Sequence, residues 1–271
     1  MFRIACLSCL LLLALPACQR ESATPSTTPD PSADASATPA VAAQPLQDVV
    51  ERDPRYLIGI SYPPAANQYP KLAAALKAYA DGARGELMQA VAGLGTEKPT
   101  APYDLSLAFS ELVVTPQLVA IAADGSSYTG GAHGNPLLAR FVWLPRDDRQ
   151  LTATELIPDP QAWPDIAAYV REQLLSALSQ RVDADAPPPA ERAEIVKNAS
   201  RMIDEGTAPD PANFAQFEPV MGTGGKMSGL RFVFPPYQVG PYADGVQTVE
   251  VPAAVLLPMV APKYRRLFQG D

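Results

Sequence analysis

From residue 56 onward the chain switches between two hydrophobic periods. Residues 56–62 alternate as a strand does and stop at Pro63-Pro64, where no amide remains to donate to a ladder. Over 71–94 the apolar residues Leu72, Leu76, Tyr79, Ala83, Leu87 and Val91 recur every three or four positions, which sets them on one face of a helix. Strand-like runs follow at 104–114, 118–123 and 137–144, with Asp124-Gly125 and Arg146-Asp147-Asp148 as the expected turns. Pro164 opens a second predicted helix, whose Ile166, Tyr169, Val170, Leu174 and Ala177 share a face. Pro189 opens a third, with Ile195, Ala199, Met202 and Ile203 on its apolar side and Gly206 as its stop. Residues 182–189 and 206–211 read as surface loops. Three more strands are expected near 215–220, 230–234 and 246–251, then a short apolar segment at 253–260. Strands gathered at both ends with helices between them predict an α+β fold. The expected arrangement is two small packed subdomains, 49–150 and 151–271, with antiparallel sheets and helices on one face.

The first 48 residues follow neither period. Arg3 precedes an apolar run at 4–15, shorter than the ~20 residues a membrane-spanning helix needs but suited to the apolar part of an export signal. The run ends in Leu15-Pro16-Ala17-Cys18, which resembles the lipobox cut by lipoprotein signal peptidase. That resemblance implies removal of residues 1–17 and lipid attachment at Cys18, hence a membrane anchor. Gln19, in place of the Asp of inner-membrane retention signals, implies the periplasmic face of the outer membrane in a Gram-negative envelope. The three cysteines, Cys6, Cys9 and Cys18, all fall in this leader. The exported part therefore has no disulfide, thiol nucleophile or Cys-ligated zinc, and rests on its hydrophobic core. Residues 18–48 are dominated by Ala, Ser, Thr and Pro and lack aromatics, too little apolar surface to offset ordering entropy. They read as a tether with a reach of roughly 30 Å as a flexible coil.

Two stretches carry a family resemblance. They are Tyr128-Thr-Gly-Gly-Ala-His-Gly-Asn135 and Phe234-Pro-Pro-Tyr-Gln-Val-Gly-Pro-Tyr-Ala-Asp-Gly245, the second followed by Val249-Glu-Val-Pro252. In this order and spacing they resemble the RsiV-like extracytoplasmic domain, a family of unknown general function of the lysozyme-sensing anti-sigma factor type. The preceding segment, 56–144, is similar to the PdaC-type accessory domain of a peptidoglycan deacetylase. The resemblance implies a binding module in cell-envelope sensing or protection, its partner a basic lysozyme-like protein, with peptidoglycan as the alternative. Tyr128, Gly130, Gly131, His133, Asn135, Tyr237 and Tyr242 are the candidate binding residues.

The remaining chemistry narrows these readings. His133 is the sole histidine, so a histidine-rich metal site is excluded. A hydrolase using His133 would need a nucleophile and an orienting carboxylate, and no Gly-x-Ser-x-Gly elbow is present. The same histidine also fits a hydrogen bond to backbone in a tight turn, and the glycines fit a bulge or turn. Tyrosine offers apolar area with a polar tip, suited either to a binding face or to a packed loop. Gly222-Thr-Gly-Gly-Lys226 lacks the hydroxyl residue and first glycine of a nucleotide loop and reads as a hairpin turn. Neither nucleotide nor any other cofactor is expected. With 21 basic and 29 acidic residues the net charge is −8, without a long basic cluster, which argues against nucleic acid and suits a basic protein partner.

Overall fold

β1 (Val49–Asp53) and β2 (Tyr56–Ser61) pair as an antiparallel hairpin. The computed structural model describes residues 45–270, so the expected leader, Cys18 and the expected tether up to residue 44 lie outside the described residues. After β2 comes α1 (Pro70–Gly93), with Pro70 in its first turn, where a missing amide costs nothing. This helix buries Leu72, Leu76, Ala80, Ala83, Leu87 and Val91 at the period the sequence predicts. It returns the chain to lay β3 (Tyr103–Val114) parallel to β2. The long helical crossover is what a parallel pair requires, so the sheet is mixed where antiparallel pairing alone was expected. β4 (Val119–Tyr128), β5 (Asn135–Leu144) and the two-residue β6 (Arg149–Gln150) complete six strands in sequential order.

Two cores share this sheet. Val119, Ile121, Ala123, Ala139, Phe141 and Trp143 face α1, together with Ile58, Ile60, Leu105, Leu107 and Phe109. Alternate residues Leu118, Ala120, Val142 and Leu144 face the second core. There α2 (Ala153–Leu156), α3 (Trp163–Asp185) and α4 (Pro189–Gly206) pack with a three-stranded antiparallel sheet. Its strands are β7 (Phe217–Met221), β8 (Met227–Phe234) and β9 (Gln247–Pro252). Short helices α5 (Ala253–Leu256) and α6 (Pro262–Arg265) close the chain. Trp163 stacks on Phe214, which meets Phe232 and Phe234 edge-on, all nearly inaccessible. Each such side chain contributes about 1.5–3 kcal/mol by burial. The result is an α+β fold.

Two local expectations are corrected. Asp124-Gly125 is not a turn, because β4 continues through it to Tyr128. Asp124 stays in the strand by accepting from Arg140, and Gly125 suits it because a Cβ there would lie 2.0 Å from the Ser106 carbonyl oxygen. The 182–189 loop begins later, because α3 continues to Asp185. Val182 is buried, Asp183 bonds Arg192 of α4, and Ala186 makes the reversal in the left-handed region at φ 46°.

β5 has an outer edge that its neighbours close piecewise. β6 pairs with Trp143 and Leu144, the Leu151 amide donates to the Val142 carbonyl, and the Arg140 amide donates to the Gln216 side chain at 2.8 Å. The second sheet thus reaches the first along β5.

Candidate functional site

Two loops meet at the surface where the sheets adjoin. The first joins β4 to β5, and Gly130 and Gly131 give it two successive positive φ values, 99° and 101°. The Tyr128 hydroxyl donates to the Gly131 carbonyl at 3.2 Å and pins the turn. The second joins β8 to β9. In it Tyr237 takes φ 73°, a conformation that costs a non-glycine residue about 1–3 kcal/mol and needs outside support.

The support is visible. The Tyr237 amide donates to the Gly240 carbonyl, and Gln238 Nε2 donates to the carbonyls of Gly206 and Asn213. Gly206 allows that approach, since a Cβ there would lie 2.0 Å from the Gln238 carbonyl oxygen. Its place at the end of α4 reflects close backbone contact rather than a left-handed cap. Further along, Asp244 pairs with Arg181 of α3 at 2.8 Å, and Gln247 holds the Asp244 carbonyl.

These anchors bring three predicted residues into contact. His133 stacks on Tyr242, with ring centroids 4.0 Å apart and planes 16° from parallel. Tyr237 and Tyr242 lie 5.7 Å apart, and the Tyr237 hydroxyl is 2.9 Å from His133 Nε2. His133 Nδ1 is 3.0 Å from the Gly134 carbonyl, which only accepts. In the neutral ring Nδ1 therefore carries the hydrogen, and Nε2 accepts from the Tyr237 phenol. His133 is exposed, and Tyr237 keeps 54% of its surface in solvent. Asn135 shares no hydrogen bond with the three rings; it opens β5, exposed, opposite Ser127. Cys18 lies outside the described residues.

An ion-pair chain links β4 and β5 to the second sheet, and sequence reasoning missed it. Arg140 on β5 meets Asp124 at 3.0 Å and Glu218 of β7 at 3.1 Å. Glu218 also meets Arg231 of β8 at 2.9 Å, and Arg231 pairs with Glu250 of β9. Hydrogen bonds from Arg231 to Glu250, then to Glu218, raise the Arg231 pKa above its ordinary value. The available signal was a lone charge inside each apolar strand, Arg140 in β5 and Glu218 in β7. A buried charge there demands a partner.

The arrangement suits contact better than bond-breaking. Both His133 nitrogens are engaged, by a carbonyl and a phenol rather than by a carboxylate and a nucleophile. Among the described residues no group of three or more His, Cys, Asp or Glu side chains stands ready to hold a metal ion.

The second loop and its supports fall within one recognised family. The matching segment runs from 156 to 254, and the family is described as a protein of unknown function, DUF3298. The match covers residues 156–254, somewhat over a third of the chain. The matched segment contributes Tyr237, Tyr242, Glu218 and Arg231, while His133 and Arg140 come from the sheet before it. A solved DUF3298 family protein from Pseudomonas aeruginosa has a TM-score of 0.51 at 15% identity, covering 84% of this chain and 99% of that one. A DUF3298 family member from Bacteroides fragilis gives a TM-score of 0.46 at 14% identity, covering 83% of this chain and 97% of its own. The Pseudomonas likeness shows a shared fold. No curated protein matches this chain.

Proposed function

We propose that this protein is a lipid-tethered, extracytoplasmic binding module that recognises a basic, lysozyme-like protein in envelope sensing or protection. The observation that carries the reading is the exposed His133–Tyr237–Tyr242 cluster, held by a strained Tyr237 between two anchored loops. Interface centres favour rigid aromatic side chains with polar tips, because they offer contact area at low entropy cost. The net charge of −8 suits attraction to a basic partner. The RsiV-like motifs supply the same two loops. Attachment at Cys18 would hold the module at the membrane, and mass spectrometry of the mature N-terminus tests it through the presence of an acylated Cys18.

The binding test is calorimetry of residues 45–271 with hen-type lysozyme at low and moderate salt. Affinity should fall as salt rises, and Tyr237→Ala and Tyr242→Ala should each cost about 2 kcal/mol, the level of an interface hot spot. Absence of binding at low ionic strength refutes the lysozyme-like partner. Co-sedimentation with purified sacculi, lost in the same variants, would instead assign the surface to peptidoglycan.

A further inference from the structure

One end of the molecule collects positive side chains that no acid among the described residues pairs. Arg146 in the β5–β6 turn and Gln117 in the β3–β4 turn line two adjoining cavities. The larger, of about 480 Å³, is completed by Gly224, Gly225 and Lys226 in the β7–β8 turn. Tyr264 and Arg266 contribute to the smaller. Backbone bonds fix these segments side by side, from the Met227 amide to the Leu267 carbonyl and from the Gln269 amide to the Met227 carbonyl, both 2.8 Å. Lys263 lies one turn before Arg266, its ammonium 4.7 Å from the Tyr264 ring centre.

Among the described residues, none of Arg146, Lys226, Lys263 and Arg266 comes within 4.0 Å of a carboxylate. Asp147 is the one acid lining either cavity, and the neighbouring Asp148 is engaged by Lys71 at 3.0 Å. In a chain of net charge −8 this local excess runs against the whole. The β3–β4 hairpin that carries Gln117 also exposes apolar side chains, Leu112 at 40% and Val114 at 45%, with Pro116 exposed at its turn. Cations beside exposed apolar side chains are the two components of attachment to an anionic bilayer surface.

We infer that this end docks on anionic phospholipid headgroups, with Arg146, Lys226, Lys263 and Arg266 against the phosphates and the hairpin at the headgroup boundary. The contact is separate from the aromatic surface and needs no acyl chain. Each cation near such a surface strengthens partitioning about fivefold, so three together are worth about 100-fold.

The test is co-sedimentation of residues 45–271, a unit that contains both cores, with phosphatidylcholine vesicles with and without phosphatidylglycerol. Binding only to the phosphatidylglycerol vesicles, weakened by salt, is the expected result. The triple variant Arg146→Gln, Lys226→Gln, Arg266→Gln should lose about 100-fold in partitioning while melting as the parent does. A Tyr237→Ala, Tyr242→Ala variant should bind vesicles as the parent does, which separates this site from the one proposed above. Equal binding to uncharged vesicles, no binding at all, or a triple variant that partitions normally overturns the inference. So does displacement by inorganic phosphate at matched ionic strength, which would mark a discrete anion pocket instead of a bilayer-facing surface.

Discussion

Removing the Glu218 carboxylate would take from the buried Arg140 guanidinium its ion-pair partner on the second sheet. The Arg140 side chain is 8% exposed and that of Glu218 10%, so neither can turn to water for compensation. At about 3 Å and an effective dielectric of about 20 their gross attraction is roughly 5 kcal/mol, most of which offsets desolvation. Breaking such a pair from one side costs about 3–5 kcal/mol. The lower figure applies to Glu218→Ala, because Arg140 retains Asp124 and the Ala139 carbonyl, and Arg231 retains Glu250. Urea unfolding of Glu218→Ala, Arg140→Met and the double variant gives the coupling directly. Each single change should cost about 3 kcal/mol, and the double should fall short of their sum by at least about 1 kcal/mol, since an apolar pair strands no charge. Additivity within about 0.5 kcal/mol would refute the idea that these two groups depend on each other.

Gly206→Ala should destabilise by about 1–3 kcal/mol and weaken partner binding without touching the aromatic rings, because its Cβ would meet the fixed Gln238 carbonyl; thermal melting and calorimetry check both. Leu76→Ala, at a fully buried position, should cost about 2–5 kcal/mol in urea unfolding. Burial, aided by Asp81 and Asp48, pushes the Tyr62 phenol up to about 12. Its folded value exceeds the unfolded one, so its contribution to stability is complete below the ordinary value of 10.0 and is lost as pH rises through about 12. Ultraviolet titration should show Tyr62 ionising late, and a single step for all ten tyrosines would contradict this.

The sequence was most legible where one face of an element is buried and the other wet. Leu72 to Val91 announced α1, and Pro164 and Pro189 marked their helix starts, because period and punctuation are local properties. Legibility failed where a distant partner decides. Asp124-Gly125 has turn chemistry, yet Arg140 and the strands on either side keep it extended. The parallel β2–β3 pair follows from where α1 delivers the chain, and no run of residues within either strand encodes that. For the site, Tyr128, His133, Tyr237 and Tyr242 stood out by motif, and three of them touch. The contact itself, across 104 positions from His133 to Tyr237, depends on Gly206, Gln238 and Arg181, whose roles exist only once the chain is folded.

The piecewise closure of β5 decides where a foreign polypeptide can add itself to the large sheet. With that margin occupied by β6, Leu151 and the Gln216 amide group, the other margin among the described residues is β1, five residues long. Val50 there is 71% exposed and is followed by the charged Glu51 and Arg52, which discourage strand invasion. Any misassembly by edge pairing of this sheet would therefore begin beside the point where the proposed leash enters the fold, and lengthening or stiffening that leash near residue 48 is the natural lever for suppressing it.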